Sequence, residues 1–121
     1  MIASLLLAFQ VAAGPEVLVV KADSETVVPL VRAGEGLSLR LDLLAPAIGA
    51  VVRSLPDGRT ILTIDRAELT LNEGVPFVQA GAELVPLAAA PTMRDGRLFV
   101  PLQFVAEVVP RIATGLLYDP L

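Results

Sequence analysis

A short strand that leads directly into a helix is predicted for Leu37-Ser38-Leu39-Arg40-Leu41-Asp42-Leu43-Leu44-Ala45-Pro46-Ala47-Ile48-Gly49. Leu37 and Leu39 alternate with polar residues, as in a half-buried strand. The apolar residues that follow have the i, i+3, i+4 and i+7 spacing of one helix face: Leu41, Leu44, Ala45 and Ile48. Pro46 predicts that the helix is short, and Gly49 is suited to end it.

The same pattern occurs a second time, 61 residues further along the chain (from Leu41 to Leu102), in Leu98-Phe99-Val100-Pro101-Leu102-Gln103-Phe104-Val105-Ala106-Glu107-Val108-Val109-Pro110. Pro101 is suited to the first turn of this second helix, whose expected apolar stripe is Leu102, Val105, Ala106 and Val109. A repeated strand–helix unit indicates a small module built by duplication. The predicted fold class is α+β: antiparallel strands and hairpins with two short helices from an internally duplicated strand–helix unit.

The segments around the two units have the pattern of antiparallel strands. A hairpin is predicted for residues 51–55 and 59–64, because Asp57-Gly58 supplies the positive φ that hairpin turns need. Pro29 indicates an edge strand or a strand end, since proline cannot donate to a sheet ladder. Further strands are predicted near residues 16–21, 26–31, 68–71, 75–79 and 116–118.

The composition excludes several classes of site within this chain. Its 121 residues are 55% apolar and 18% charged, which is the size and balance of one packed domain. The chain has no Cys and no His, so it offers no disulfide, no nucleophile with an imidazole base and no zinc ligand set. We therefore expect no catalytic residues, no metal site and no cofactor. The net charge of −4, with both signs interspersed, gives no basic surface for nucleic acid.

Residues 1–13 have the pattern of a secretory signal peptide. They form a short apolar run that ends in Val11-Ala12-Ala13 before Gly14-Pro15, although no Lys or Arg precedes it. We expect residues 1–13 to be removed and residues 14–121 to form a single exported domain, in the periplasm, in the cell envelope or outside the cell. No later stretch is long and apolar enough to hold that domain in the membrane. The alternatives are a buried first strand and a start codon placed a few residues late.

Residues 94–107 carry a family resemblance. Asp95-Gly96-Arg97-Leu98-Phe99-Val100-Pro101-Leu102-Gln103-Phe104-Val105-Ala106-Glu107 is similar to the signature of the copper amine oxidase N-terminal-like domain, also called a stalk domain. In that signature a Gly-Arg pair precedes Val-Pro-Leu and an Ala-Glu helix. Gln103 stands where the family usually has Arg, and Val109-Pro110 stands where Leu-Gly is typical.

This resemblance implies a non-catalytic module of an exported bacterial envelope protein, of the kind found before N-acetylmuramoyl-L-alanine amidase domains. Three functions stay open at this point. The chain is a peptidoglycan-associated stalk or targeting domain, the N-terminal fragment of an amidase whose catalytic domain is missing, or a free-standing interaction domain that uses an edge strand. The expected partner is accordingly peptidoglycan or an envelope protein. The family name mentions copper, but without His or Cys we expect no copper site.

Arg59, Arg97 and Gln103 are the candidate binding residues. Each Arg follows an Asp-Gly pair, and could be presented beside a hairpin turn for contacts with sugars or carboxylates. Gln103 belongs to the family motif. The alternative is a tight turn that needs the Gly, with each Arg either pairing locally with its own Asp or covering the sheet edge with its stem. The expected core includes Phe77, Phe99 and Phe104, because so few aromatics do not make a sugar-stacking platform.

Overall fold

The computed structural model describes residues 3–10, 14–21, 24–34, 36–113 and 116–119 of the chain. In this part the strands form three sheets. The terminal sheet contains β1 (Ala3–Gln10), β2 (Gly14–Lys21), β3 (Ser24–Pro29) and β13 (Leu116–Asp119) in the order β13-β1-β2-β3. The repeat sheet contains β4 (Val31–Ala33), β5 (Gly36–Arg40), β11 (Thr92–Arg94) and β12 (Arg97–Pro101) in the order β11-β12-β5-β4.

The third sheet is a five-stranded antiparallel meander. It contains β6 (Val51–Ser54), β7 (Arg59–Ile64), β8 (Ala67–Asn72), β9 (Phe77–Ala80) and β10 (Glu83–Pro86) in chain order. The helical elements are α1 (Leu41–Ala47), a π-helical segment (Phe104–Val108) and α2 (Val109–Ile112). Mostly antiparallel strands with short helices confirm the predicted α+β class.

The repeat sheet relates the two sequence copies by a local two-fold axis. Leu39 of β5 lies directly opposite Val100 of β12, and these two residues are equivalent in the repeat, 61 positions apart. The outer hairpins have matching register, with Val31 opposite Ser38 in one and Thr92 opposite Phe99 in the other. The duplication is therefore present in the backbone pairing as well as in the sequence.

The duplication also extends to a second pair of hairpins, which the sequence comparison did not find. Val17 pairs with Val28 in β2–β3, and Val78 pairs with Val85 in β9–β10. All four valines are buried. Each hairpin ends in the same backbone hydrogen bond: the Leu30 N–H donates to the Pro15 carbonyl at 3.0 Å, and the Leu87 N–H donates to the Pro76 carbonyl at 2.9 Å.

The last strand of each half pairs in the sheet of the other half. After α1 the chain enters β6, which joins the sheet containing β8, β9 and β10. After α2 it enters β13, which joins the sheet containing β1, β2 and β3. The two sheets differ at one point: β7 lies between β6 and β8, whereas β13 pairs directly with β1 and parallel to it.

The first helix confirms its predicted stripe. The four residues of the stripe are all buried: Leu41, Leu44, Ala45 and Ile48. Pro46 lies on the opposite, exposed side of the helix, and Gly49 follows the helix with φ +76°. A π turn has more residues per turn than an α-helix, so the apolar side chains here follow a different spacing. The predicted stripe is therefore right in part: Val105 and Val109 are buried and Leu102 packs half-buried against the core. Ala106 is half-buried, and Phe104 and Val108 are buried outside the predicted stripe.

The N-terminal segment forms an interior strand of the terminal sheet. Ala3–Gln10 pairs with β2 on one side and with β13 on the other, which is the arrangement expected if these residues belong to the domain. The expected cleavage site at residues 11–13 lies outside the described residues. No helix in the described part of the chain has both the length and the apolar character needed to cross a membrane.

Candidate functional site

The three predicted binding residues lie at three separate places in the fold. Arg59 begins β7 in the five-stranded sheet, Arg97 begins β12 in the repeat sheet, and Gln103 immediately precedes the π-helical segment. Arg59 and Arg97 line different cavities, and Gln103 lines neither of those two. The structure therefore does not combine them into one site.

Arg59 is held by the turn that precedes it. The Arg59 backbone N–H donates to the Asp57 carboxylate at 3.1 Å, and its side-chain Nε donates to the same carboxylate at 2.7 Å. These bonds, the backbone one first, hold the pKa of Asp57 below its usual value. Gly58 takes φ +92° as the hairpin turn requires. For Arg59, the structure therefore shows the local pairing that was the alternative to ligand binding.

Arg97 lies beside a second ion pair, at the start of α1. Arg40 donates two hydrogen bonds to the Asp42 carboxylate, from Nε at 3.0 Å and from Nη2 at 2.6 Å. These bonds are the main reason that the pKa of Asp42 is lowered, and the charge of Arg97 lowers it further. Arg97 and Asp42 both line a small cavity of about 140 Å³ between the repeat sheet and β6 and β7. Asp42 is thus paired with Arg40, and the charge of Arg97 acts on it without a salt bridge between the two.

Gln103 braces a loop with its side-chain amide. Its Oε1 accepts a hydrogen bond from the Ala88 backbone N–H at 2.9 Å, and its Nε2 donates to the Pro86 carbonyl at 3.3 Å. Both polar atoms of the amide are thereby engaged with the segment that follows β10. The geometry gives Gln103 a role in joining the helical run to this loop.

A polar groove, which the sequence reasoning missed, lies on the five-stranded sheet. It has a volume of about 710 Å³ and is open to solvent. The cross-strand pairs Thr63–Glu68 and Thr70–Gln79 place these four polar side chains on the outward face of β7, β8 and β9. We define the polar groove by its polar lining: Arg59, Thr63, Arg66, Glu68, Thr70 and Gln79.

The charges of the groove include one arginine without a salt bridge. Two salt bridges form among the described residues, and both lie within local turns: Arg40–Asp42 and Arg59–Asp57. Arg66, in the turn between β7 and β8, is exposed and takes part in neither. It is a cation available to an anionic or hydroxyl-bearing ligand. Alternation of polar residues along β7, β8 and β9 was the signal in the sequence that could have indicated this face.

Two predicted core aromatics are at the surface instead. Phe77 is 44% exposed and shares the outward face of the five-stranded sheet with Gln79 and with Leu84, which is 65% exposed. Phe99 is half-buried, with the Arg94 guanidinium 5.6 Å from its ring centre. Each alternates with a buried neighbour along its strand, so its side chain is directed away from the core. Of the three predicted core aromatics, only Phe104 is fully buried.

No cluster of metal-binding side chains is found in the part of the chain that the structure describes. There, no group of three or more acidic, His or Cys side chains is placed to hold a metal ion.

A sequence model of the copper amine oxidase N-terminal domain matches residues 11–112, which is most of the chain.

The chain belongs to the copper amine oxidase N-terminal domain family. This assignment confirms the resemblance carried by residues 95–107, which form β12 with its preceding turn and the start of the helical run. The N-terminal domain of copper amine oxidase is a non-catalytic domain. Comparison with curated proteins and with solved structures found no match.

Proposed function

We propose that this domain is a non-catalytic module of an exported cell-envelope protein and that it associates with peptidoglycan through the polar groove. The observation that carries the proposal is the groove itself, an open surface of about 710 Å³ lined by side chains that can bind sugars. Membership of a family named for a non-catalytic domain agrees with a binding role.

The chemistry of the groove suits a glycan with acidic peptide stems. Thr63, Thr70 and Gln79 offer hydroxyl and amide groups that can exchange hydrogen bonds with sugar hydroxyls. Arg66 can donate a bidentate pair of hydrogen bonds to a carboxylate, which peptide stems supply. Because the groove is open rather than enclosed, a long polymer could lie along it without threading its end.

Phe77 adds an apolar surface on the same face of the sheet. Phe77 is 44% exposed on β9, two residues from Gln79. Exposed aromatic rings beside polar groups provide large contact areas at low entropic cost. We infer that Phe77 borders the bound glycan on the side away from Arg66.

Sedimentation with purified, insoluble peptidoglycan tests this function. The full-length protein is expected in the pellet, and the double variant Arg66→Ala/Gln79→Ala should bind about ten-fold more weakly, since a charged hydrogen bond is worth roughly 1.5–3 kcal/mol. Arg32→Ala is the matched control, because Arg32 is exposed on β4 in a different sheet. A wild-type protein that stays in solution overturns peptidoglycan association, and equal binding by the double variant overturns the role of the groove.

A further inference from the structure

The N-terminal strand β1 occupies an interior position of the terminal sheet. It pairs with β2 at seven positions, from Ser4 opposite Val20 to Gln10 opposite Gly14, and with β13 at four. Its sequence from Ala3 to Gln10 contains no charged residue. The proposed function requires export, and on export the segment that includes β1 is the expected leader.

Removal of β1 would leave a gap in the sheet, with the edges of β2 and β13 that now pair with β1 left unpaired. β2 would keep β3 on one side and lose its partner on the other, while β13 pairs with no other strand in the described sheet. This region is not superficial, because Val17 and Val19 are each 1% exposed and Leu116 is 8% exposed. Unpaired backbone groups near a core cost free energy, and open strand edges recruit other strands.

The repeat shows that this position belongs to the architecture of the domain. In the five-stranded sheet the corresponding place beside β9 is held by β8, with Leu71 opposite Val78. The equivalent pair in the terminal sheet is Leu7 opposite Val17, because Pro76 and Pro15 are equivalent in the two hairpins. A strand thus occupies this place in each half, β1 in the first and β8 in the second.

We propose that the domain, once β1 has left, accepts an extended apolar strand from a second polypeptide between β2 and β13. The strand runs antiparallel to β2 and parallel to β13, as β1 does, and its backbone hydrogen bonds supply most of the affinity. The chemistry of β1 defines the occupant: about seven residues, apolar and without acidic groups. The inference rests on the proposed export of the domain.

Glu16 gives the acceptor a preference for a basic residue. It lies within β2, is 8% exposed, and takes part in neither of the two salt bridges found among the described residues. Ala8 of β1 lies directly opposite it. A partner strand with Lys or Arg at that position would place a cation across from the Glu16 carboxylate, which favours binding, whereas an acidic residue would oppose it.

The test uses the full-length protein with a specific protease site inserted in residues 11–13. After folding and cleavage, the β1 fragment is released in mild denaturant and removed, and the remainder is renatured with a fluorescent peptide of residues 3–10. The peptide is expected to bind at one per domain, measured by anisotropy. The peptide change Leu6→Pro should weaken binding at least ten-fold, since proline removes a ladder donor.

Variant peptides test the preference set by Glu16. The Ala8→Lys peptide should bind about two- to five-fold more tightly than the unmodified peptide, and the Ala8→Glu peptide more weakly. In the Glu16→Gln protein this difference should disappear. Absence of binding, equal binding of the Leu6→Pro peptide, or a remainder that no peptide restores to its native circular dichroism would each overturn the proposal. Because the cut is made in vitro, the result is independent of export and of peptidoglycan binding.

Discussion

The substitution Phe104→Ala should cause a large loss of stability. Phe104 is 0% exposed and is the largest of the fully buried side chains. It lies in the π-helical segment, packed in the core cluster to which both halves contribute. Truncation removes the ring and leaves a cavity, which for a buried phenylalanine costs about 3–5 kcal/mol. For a domain of this size that corresponds to a fall in Tm of roughly 12–20 °C.

Thermal and urea denaturation followed by circular dichroism measure this loss. The matched control is Phe77→Ala, which removes the same ring from a site that is 44% exposed. Because Phe77 is only about half covered, the control should cost about 1–1.5 kcal/mol, roughly half the value of a fully buried side chain. A loss below about 1 kcal/mol for Phe104→Ala, or equal losses for the two variants, would refute the placement of Phe104 and the surface position of Phe77.

Three further predictions concern other parts of the molecule. Gln103→Ala removes the acceptor of the Ala88 N–H and the donor to the Pro86 carbonyl, and should lower the free energy of urea unfolding by about 0.5–1.5 kcal/mol; no measurable loss would contradict the bracing role. Asp42 has a lowered pKa, chiefly because Arg40 donates to it, so its contribution to stability is present above its unfolded pKa of about 3.9 and is lost as pH falls through the folded pKa. The stability difference between wild type and Asp42→Asn should therefore shrink below about pH 4, and a constant difference down to pH 2 would show that the ion pair does not act in this way. Isothermal titration with copper should show no tight stoichiometric binding, because the sequence has neither His nor Cys; a one-to-one tight isotherm would overturn this expectation.

Periodicity and repetition predicted the parts of the fold in which they agree with the final packing. The apolar spacing of Leu41, Leu44, Ala45 and Ile48 placed α1 and its buried face correctly. The repeat of 61 residues identified two units whose strands are now seen to pair about a two-fold axis. Pro29 also proved informative, because β3 ends at this residue and lies at the edge of its sheet.

The remaining features depended on tertiary structure that no local pattern contains. The π turn after Gln103 brings Phe104 and Val108 into the buried face of the second helix, which an α-helical spacing cannot indicate. The β3 and β10 equivalence was missed because Val28-Pro29-Leu30 and Val85-Pro86-Leu87 are 57 rather than 61 residues apart. The polar groove required the register of three strands, since its residues come from β7, β8 and β9.

The last strand of each half, β6 or β13, lies in the sheet of the other half, as in a domain-swapped dimer. A polypeptide with one copy of the repeat could therefore place that strand in the sheet of a second polypeptide. Two such polypeptides could form a domain-swapped dimer by exchanging that strand. The two-fold axis between Leu39 and Val100 would then relate separate subunits. The contacts between the two halves of this chain are therefore those that a strand-swapped homodimer of single repeats would form between its subunits.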